Sequence, residues 1–426
     1  MSTQDRVFAK CAWRLIPFMG LLYLVNFIDR TNAGFAALTM NADLDFSPAV
    51  FGFGAGIFFI GYALFQIPAN LILVRIGARR WVFCILIIWG LLSASNALVQ
   101  DPISFYVVRF LLGVAESGFF PGMLLYLTYW FPRTYLPRFT AAFMVAIPLS
   151  YVVGGPLASL ILELDGFAGL HGWQWLFLIE GVPASLLAFA ALKLLPDGPA
   201  RANWLTDAEK KTIDARLAAE EPRGKSDLWS ALLDLRVIVL GISNFCFQAG
   251  AYGVGLWLPQ IIQAMGFSNR ANGFVIALIF AVGAGAMIFC GWSSASRGER
   301  IWHVAVPWLV AALGIAAAVA AESDLLVLIA LAVAAAGVYG AQGPFFSLPS
   351  SFLRGSAAAG GISLFNMFGN FGAFFGPTLV GVLTQGSGDY TAGLIAVVVG
   401  FVLAVVMVLA AGRMIAASSL ATKQAV

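Results

Sequence analysis

The chain has 426 residues, of which 61% are hydrophobic and 11% are charged, with a formal net charge of +3. Soluble globular domains carry roughly 25% charged residues, so the composition excludes that class and indicates a polytopic membrane protein. The small net charge says little about partners, and no nucleic-acid partner is expected.

Twelve apolar runs are long enough to cross a bilayer as helices. A run of about 18 residues or more spans the hydrocarbon core with its peptide groups hydrogen-bonded inside the segment. We therefore predict an all-α membrane protein with twelve transmembrane helices, the first of them an uncleaved anchor. The predicted spans are 13–38, 50–74, 81–100, 103–129, 139–163, 173–195, 235–265, 271–293, 303–321, 324–349, 355–384 and 390–413.

The positions of Lys and Arg predict the orientation of these spans, because both residues accumulate in cytoplasmic loops. With the N-terminus inside, Arg270 is the only one of the 24 that falls outside, while Arg30 and Arg109 lie within the membrane. Both termini are therefore predicted to be cytoplasmic. The four cysteines lie in or beside helices, so no disulfide framework is implied.

Charged residues inside predicted membrane helices are the strongest functional signal, because each costs about 2.5–3.5 kcal/mol at the helix centre and normally faces a cavity or a partner. Asp29 and Arg30 are adjacent in "LLYLVNFIDRTNAGFAAL". In the fourth helix, Arg109 and Glu116 lie two turns apart and share a face. The rise per residue places Asp29 and Arg109 at similar depths, and we predict that they meet. Such an ion pair can also be purely structural, and Glu180 in the sixth helix is interpreted as a structural partner.

The central polar segment, 196–234, divides the chain into an N-terminal six-helix half, 1–195, and a C-terminal half, 235–426. Within this segment, "LTDAEKKTIDARLAAE" has a capping residue at Thr206 and spaced apolar residues. This pattern predicts a short amphipathic helix at the cytoplasmic surface.

An internal repeat relates the two halves. "GARRW" begins at Gly77 and "GERIW" begins at Gly298, an offset of 221 residues, and a Gly-Pro pair recurs at the same offset at 155–156 and 376–377. Two motifs that share one offset indicate duplication of a six-helix unit. At this offset, the four charged residues of the first and fourth helices correspond to neutral residues of the C-terminal half. These are Gly250, Ala251, Ala330 and Gly337.

The C-terminal half offers neutral hydrogen-bonding groups in place of charges. Asn366 and Asn370 are spaced i, i+4 in the eleventh helix, so their amides share a face and suit carboxylate or hydroxyl oxygens. Tyr62 of the second helix also belongs to the predicted substrate-binding set. The uncharged residues of that set are Tyr62, Gln248, Tyr252, Gln342, Ser347, Asn366 and Asn370.

The loop "RIGARRW" and the Gly-Pro helices resemble the signatures of major facilitator transporters. "NFIDRTNAGFA", "RFLLGVAESGFFPG" and "GWQWLFLIEGVPA" occur in the order typical of the anion:cation symporter family within that superfamily, and the resemblance covers about residues 12–412. In the family signature, an acidic residue usually precedes the first basic residue. In this chain that position holds Val74, and the equivalent position in the repeat holds Ala295. The gating role of that acid is therefore not carried over.

The resemblance implies two six-helix halves of major facilitator type around a central substrate site. It also implies that Asp29 and Glu116 are proton-coupling residues and that Arg30 and Arg109 bind the anion. Our hypothesis is that protonation of Asp29 releases Arg109 to the substrate.

We predict a secondary active transporter of a small organic anion, such as a hydroxy-dicarboxylate or a sugar acid, that works by proton symport and alternating access. The alternatives are an organic-anion exchanger and an aromatic-acid carrier. An enzyme is not expected, since no Ser-His-Asp set, metal-ligand cluster or nucleotide-binding loop is present. No cofactor or metal is predicted. The expected partners are the anion, the proton and the lipid bilayer of the cell membrane, around a monomer.

Overall fold

The computed structural model describes residues 3–132, 134–219, 233–353 and 355–424. Twelve of its helices are long and apolar enough to cross a membrane, as predicted. We number them α1 (Thr3–Asp43), α2 (Pro48–Ile76), α3 (Ala78–Ser95), α4 (Pro102–Thr128), α5 (Leu136–Leu162), α6 (Gly172–Leu194), α7 (Leu235–Ala264), α8 (Asn269–Arg297), α9 (Trp302–Ala320), α10 (Asp324–Phe352), α11 (Gly355–Ser387) and α12 (Thr391–Gln424).

Two of these spans are broken, although the sequence predicted continuous helices there. The first part of α4 ends at Glu116 and the second begins at Phe119. In α10 the first part ends at Gly340. Both breaks lie four residues or fewer before a proline, Pro121 and Pro344. Proline has no N–H to donate to the carbonyl four residues back, so the helical ladder is interrupted at these points.

The internal repeat is present in the backbone. Helices α2 and α8 both have 29 residues. Each follows a serine N-cap, Ser47 or Ser268, whose side chain accepts a hydrogen bond from a backbone N–H of the first turn. Each ends at a glycine with positive φ, 86° at Gly77 and 64° at Gly298, a conformation that glycine adopts without strain. These matched positions are separated by the same offset as the sequence motifs, which confirms two six-helix halves.

The predicted amphipathic helix is formed by Asp207–Ala218, with Thr206 as its N-cap in a capping box with Glu209. Lys10 Nζ lies 2.9 Å from the Glu209 carboxylate. This ammonium and the backbone N–H of Thr206 hold the pKa of Glu209 below its usual range. Trp204 stacks on Trp130 with ring centroids 5.6 Å apart, so this segment packs on the first six helices. The rest of the predicted central segment, 220–232, lies outside the described residues.

The two halves are closed against each other on the side of the bundle opposite the chain termini. Between α1 and α7, Asn41 Nδ2 donates to Gln260 Oε1 at 3.2 Å, and Gln263 Nε2 donates to the Leu38 carbonyl at 3.2 Å. Between α2 and α11, the backbone of Gly52 lies against that of the Gly-Pro turn of α11. The hydrogen bonds that join a described residue of one half to a described residue of the other all lie on this side.

A third contact between the halves joins α5 to α8. Tyr151 stacks on Phe280 with ring centroids 3.7 Å apart and planes at 12°. One turn further along, the backbones of Gly155 and Gly273 touch, leaving no room for a side chain at either position. These contacts belong to the closed side of the bundle. On the side nearer the chain termini, a cavity remains between the two halves.

Candidate transport site

The candidate site is a cavity of about 120 Å³ between the two halves, at mid-height in the bundle. Seven of the predicted site residues line it: Arg30, Tyr62, Gln248, Tyr252, Gln342, Asn366 and Asn370. The other four do not line it and lie behind or beside its wall: Asp29, Arg109, Glu116 and Ser347.

Arg30 brings a positive charge to the cavity wall. Its Nη2 lies 2.8 Å from Glu116 Oε2, and the guanidinium is surrounded by the rings of Phe27, Phe58 and Tyr62 at 4.9, 5.2 and 5.1 Å from their centroids. Aromatic faces attract a cation, so these rings hold the guanidinium in place. Nε of Arg30 has no hydrogen-bond partner in the described part of the chain.

Glu116 is the buried partner of this arginine, at the end of the first part of α4. Its Oε2 accepts from Arg30 and also from Asn26 Nδ2 at 2.8 Å, while Oε1 has no partner among the described residues. The side chain has no exposed surface. The cavity therefore touches the arginine of this pair, while the carboxylate lies behind it.

Asp29 points away from the cavity and towards α3. Its carboxylate accepts hydrogen bonds from Trp89 Nε1 at 2.6 Å, from Asn32 Nδ2 at 3.1 Å and from Ser93 Oγ. Consecutive helical residues are turned by about 100° from each other. Asp29 and Arg30 are adjacent in the sequence, but their side chains therefore lie in two different environments.

The predicted Asp29–Arg109 ion pair is wrong, because no such contact is formed. Arg109 is fully buried, and its guanidinium lies 5.1 Å from the centroid of the Phe58 ring. Its Nε and Nη1 have no hydrogen-bond partner among the described residues. The rise per residue puts the two residues at similar levels, but the Asp29 side chain is directed towards Trp89 and Ser93 of α3.

The opposite wall is built from amides of the last six helices, as predicted. Asn366 and Asn370 both face the cavity from α11, which confirms their shared face. Gln342 from α10 is buried, and its Oε1 has no partner within the described residues. Ser347 differs from the prediction, because its hydroxyl donates to the Pro344 carbonyl at 2.7 Å and it lies outside the cavity lining.

Several lining residues were missed by the sequence interpretation. Gln66 lies one turn from Tyr62, and Asn244 lies one turn from Gln248, so the i, i+4 rule applied to the predicted residues was a sufficient signal for both. The tyrosines of the lining had no such signal in a chain with many aromatic residues. They are Tyr23, Tyr151 and Tyr339.

Residues 19–377 match the family model described as Major Facilitator Superfamily. This chain belongs to that superfamily. Its match covers most of the chain, and the twelve-helix fold with two related halves agrees with it. The protein is accordingly a multi-pass membrane transporter and not an enzyme.

Individual relatives of this major facilitator are similar over nearly their whole length. It is 48% identical over 397 residues to a putative tartrate transporter of Agrobacterium vitis, covering 92% of this chain and 91% of the relative. It is 37% identical over 386 residues to the inner membrane transport protein RhmT of Escherichia coli strain K12, covering 89% of each. A crystal structure of a bacterial homolog of the human lysosomal transporter Spinster shares the fold, with a TM-score of 0.76, 18% identity, and coverage of 94% of this chain and 96% of that one.

Proposed function

We propose that this transporter carries a small organic anion together with a proton, by alternating access between the two halves. The observation that supports this most directly is the Arg30–Glu116 pair at the cavity wall, with 2.8 Å between Nη2 and Oε2. Arg30 is the cation that a substrate carboxylate meets, and Glu116 is the carboxylate that already occupies it. The name of the Agrobacterium vitis relative agrees with a carboxylate substrate.

Competition for Arg30 gives a simple rule of coupling. A substrate carboxylate and an ionised Glu116 next to one guanidinium leave an uncompensated buried negative charge, which is strongly unfavourable. Protonation of Glu116 frees Arg30 for a charge-assisted hydrogen bond to the substrate. For an anion with a single negative charge, the two neutral combinations are the empty Arg30–Glu116 pair and the carrier loaded with anion and proton, and these are then the ones that cross between the two conformations.

This mechanism revises the hypothesis from the sequence in its pairing and keeps its chemistry. Asp29 and Glu116 remain the proposed proton-coupling residues, and Arg30 takes the role that was given to Arg109. Arg109 contributes a fixed positive charge behind the wall. The amides opposite are proposed to bind hydroxyl or carbonyl oxygens of the anion.

The proposal includes the orientation and the organisation of the chain. Both termini are placed in the cytoplasm of a cell whose inner membrane holds the protein, in line with the distribution of Lys and Arg and with the name of the Escherichia coli relative. Segments 1–195 and 235–426 move as two units joined by 196–234 in a monomer. The closed side then faces outward.

An aromatic carboxylate is a second candidate substrate. Eight of the described lining residues are aromatic: Tyr23, Phe27, Tyr62, Phe120, Tyr151, Tyr252, Tyr339 and Phe346. A flat ring would pack between such side chains through offset or edge contacts.

Glu116→Gln tests the coupling rule. We expect the variant to lose proton-driven accumulation of anion in proteoliposomes while exchange of internal for external anion persists, since Gln imitates the protonated acid and leaves Arg30 open. A panel of labelled organic acids, including tartrate and benzoate-type acids, is measured with and without an inward proton gradient. Glu322→Gln is the matched control, because Glu322 is exposed in the turn before α10. Exchange that ignores the gradient in the wild type and is unchanged in Glu116→Gln would instead establish an anion exchanger.

Asn366→Ala and Asn370→Ala test the amide wall. Each removes hydrogen bonds worth about 0.5–1.5 kcal/mol, so we expect KM for the anion to rise by roughly 2–10-fold. The accumulation ratio at a fixed gradient should stay unchanged, because the coupling residues are intact. Gln100→Ala, at an exposed position between α3 and α4, is the control. A change in the accumulation ratio without a change in KM would contradict a substrate-binding role.

A further inference from the structure

Five acidic or basic residues are buried among the side chains that the structure describes: Asp29, Arg30, Arg109, Glu116 and Glu180. Three are acids and two are bases, so full ionisation leaves one net negative charge inside the membrane. An uncompensated buried charge is very costly, and a buried acid avoids that cost by binding a proton. One of the three acids is therefore expected to be protonated in this conformation.

The surroundings of the three acids differ sharply. Glu116 is paired with Arg30. Asp29 accepts three hydrogen bonds, which favour its ionised form. Glu180 is 5% exposed, and neither of its carboxyl oxygens has a hydrogen-bond partner or a basic partner in the described part of the chain. Glu180 is thus the acid for which the charged form is least supported.

Asn32 connects this acid to Asp29. Its Nδ2 donates to Asp29 Oδ1 at 3.1 Å, and its Oδ1 is buried with no donor among the described residues. The Asn32 amide lies beside the Glu180 carboxyl. A single proton on Glu180 would supply the donor that the Asn32 oxygen lacks, and a buried acceptor without a donor is destabilising.

Among the residues that the structure describes, the ionisable group facing Glu180 comes from α1. Helix α1 contributes Asp29. Helix α3 packs on α6 through Gly90, Ser93 and Ala94, which carry no charge. On α5, the Tyr151 ring is turned to Phe280 of the other half. The protonation of Glu180 is therefore linked to that of Asp29, with the Asn32 amide between them.

We propose that Glu180 is a third proton-binding residue of the transport cycle, protonated in this conformation and hydrogen-bonded through Asn32 to the Asp29 carboxylate. The role in the cycle rests on the proposed proton symport, whereas the protonated state does not. Glu180 lies on the α3 side of α1, away from the cavity, so its proton does not compete with the anion for Arg30.

Infrared spectroscopy of the reconstituted protein tests the protonated state directly. We expect the carbonyl stretching band of a protonated carboxylic acid in the substrate-free wild type at neutral pH, and its loss in Glu180→Gln. Glu322→Gln is the control and should keep the band. Gln has the shape of the neutral acid, so this variant is expected to fold. A spectrum that Glu180→Gln leaves unchanged would overturn the proposal.

Transport measurements test the role in the cycle. If Glu180 releases one proton per cycle, its loss lowers the anion accumulation ratio by about tenfold for each pH unit of gradient, while exchange of anion persists. Accumulation equal to that of the wild type would overturn the role. A wild type without any proton-driven uptake would refute the proposed symport instead, and the infrared band would still decide whether Glu180 holds a proton.

Discussion

Replacing Arg30 with glutamine is expected to reduce anion uptake to the background of empty liposomes. The substitution removes the cation of the cavity wall and leaves Glu116 buried without its ion-pair partner, with the Asn26 amide as its remaining hydrogen-bond donor. Breaking a buried pair on one side costs about 3–5 kcal/mol, so the melting temperature should fall as well. Uptake of labelled anion and thermal unfolding in detergent are the two measurements.

The double variant Arg30→Gln with Glu116→Gln separates these two effects. With both charges removed, the stability should return towards that of the wild type, whereas uptake should stay at background because the anion still has no cation to bind. Arg270→Gln is the matched control, since the Arg270 side chain is 66% exposed and lies 4.0 Å from Glu163. Uptake by the double variant would show that Arg30 only stabilises the fold.

Gly273→Val is expected to abolish transport by preventing closure between α5 and α8. A Cβ atom at Gly273 overlaps the Gly155 carbonyl oxygen of the other half. The overlap exists only while the two halves are closed on the side opposite the termini, so the protein should still fold but occupy the other conformation. A cysteine at Gln260, which is 8% exposed here, should then react with a membrane-impermeant thiol reagent in a background without the four native cysteines.

Gly113→Val is the informative comparison for this variant. A Cβ at Gly113 overlaps the Phe58 carbonyl oxygen, and both residues belong to the first half. The clash persists in every conformation, so this substitution should lower the yield of folded protein rather than shift its state. Equal thiol reactivity in Gly273→Val and in the parent would mean that the α5–α8 contact does not control the closed side.

The sequence allowed the twelve spans, the repeat and most of the amide wall to be predicted, because hydropathy, motif offsets and i, i+4 spacing are local or periodic properties. The direction of Asp29 was missed for a physical reason. Trp89 and Ser93 on α3 provide hydrogen-bond donors to its carboxylate, and the packing of α1 on α3 cannot be read from the depth of a residue along its own helix.

The helix breaks in α4 and α10 were missed for a different reason. Average hydropathy does not distinguish a broken apolar helix from a continuous one. A proline in the span is not sufficient either, since Pro148 and Pro259 lie inside continuous helices. The break in α4 matters to the site because Glu116 is the last residue before it. The interruption of the helix and the buried carboxylate occupy the same turn.

The two faces of the cavity differ in the kind of side chain that a substitution would replace, a buried charge on one face and a neutral hydrogen-bonding group on the other. The described buried charges all lie on α1, α4 and α6, whereas α7, α10 and α11 present neutral amides and phenols to the same space. Exchanging one amide for another side chain alters hydrogen bonding without leaving an ion unpaired in the membrane. Divergence of such a carrier towards new substrates can therefore proceed by mutations in one half of a duplicated gene, while the half that holds the buried charges is inherited unchanged.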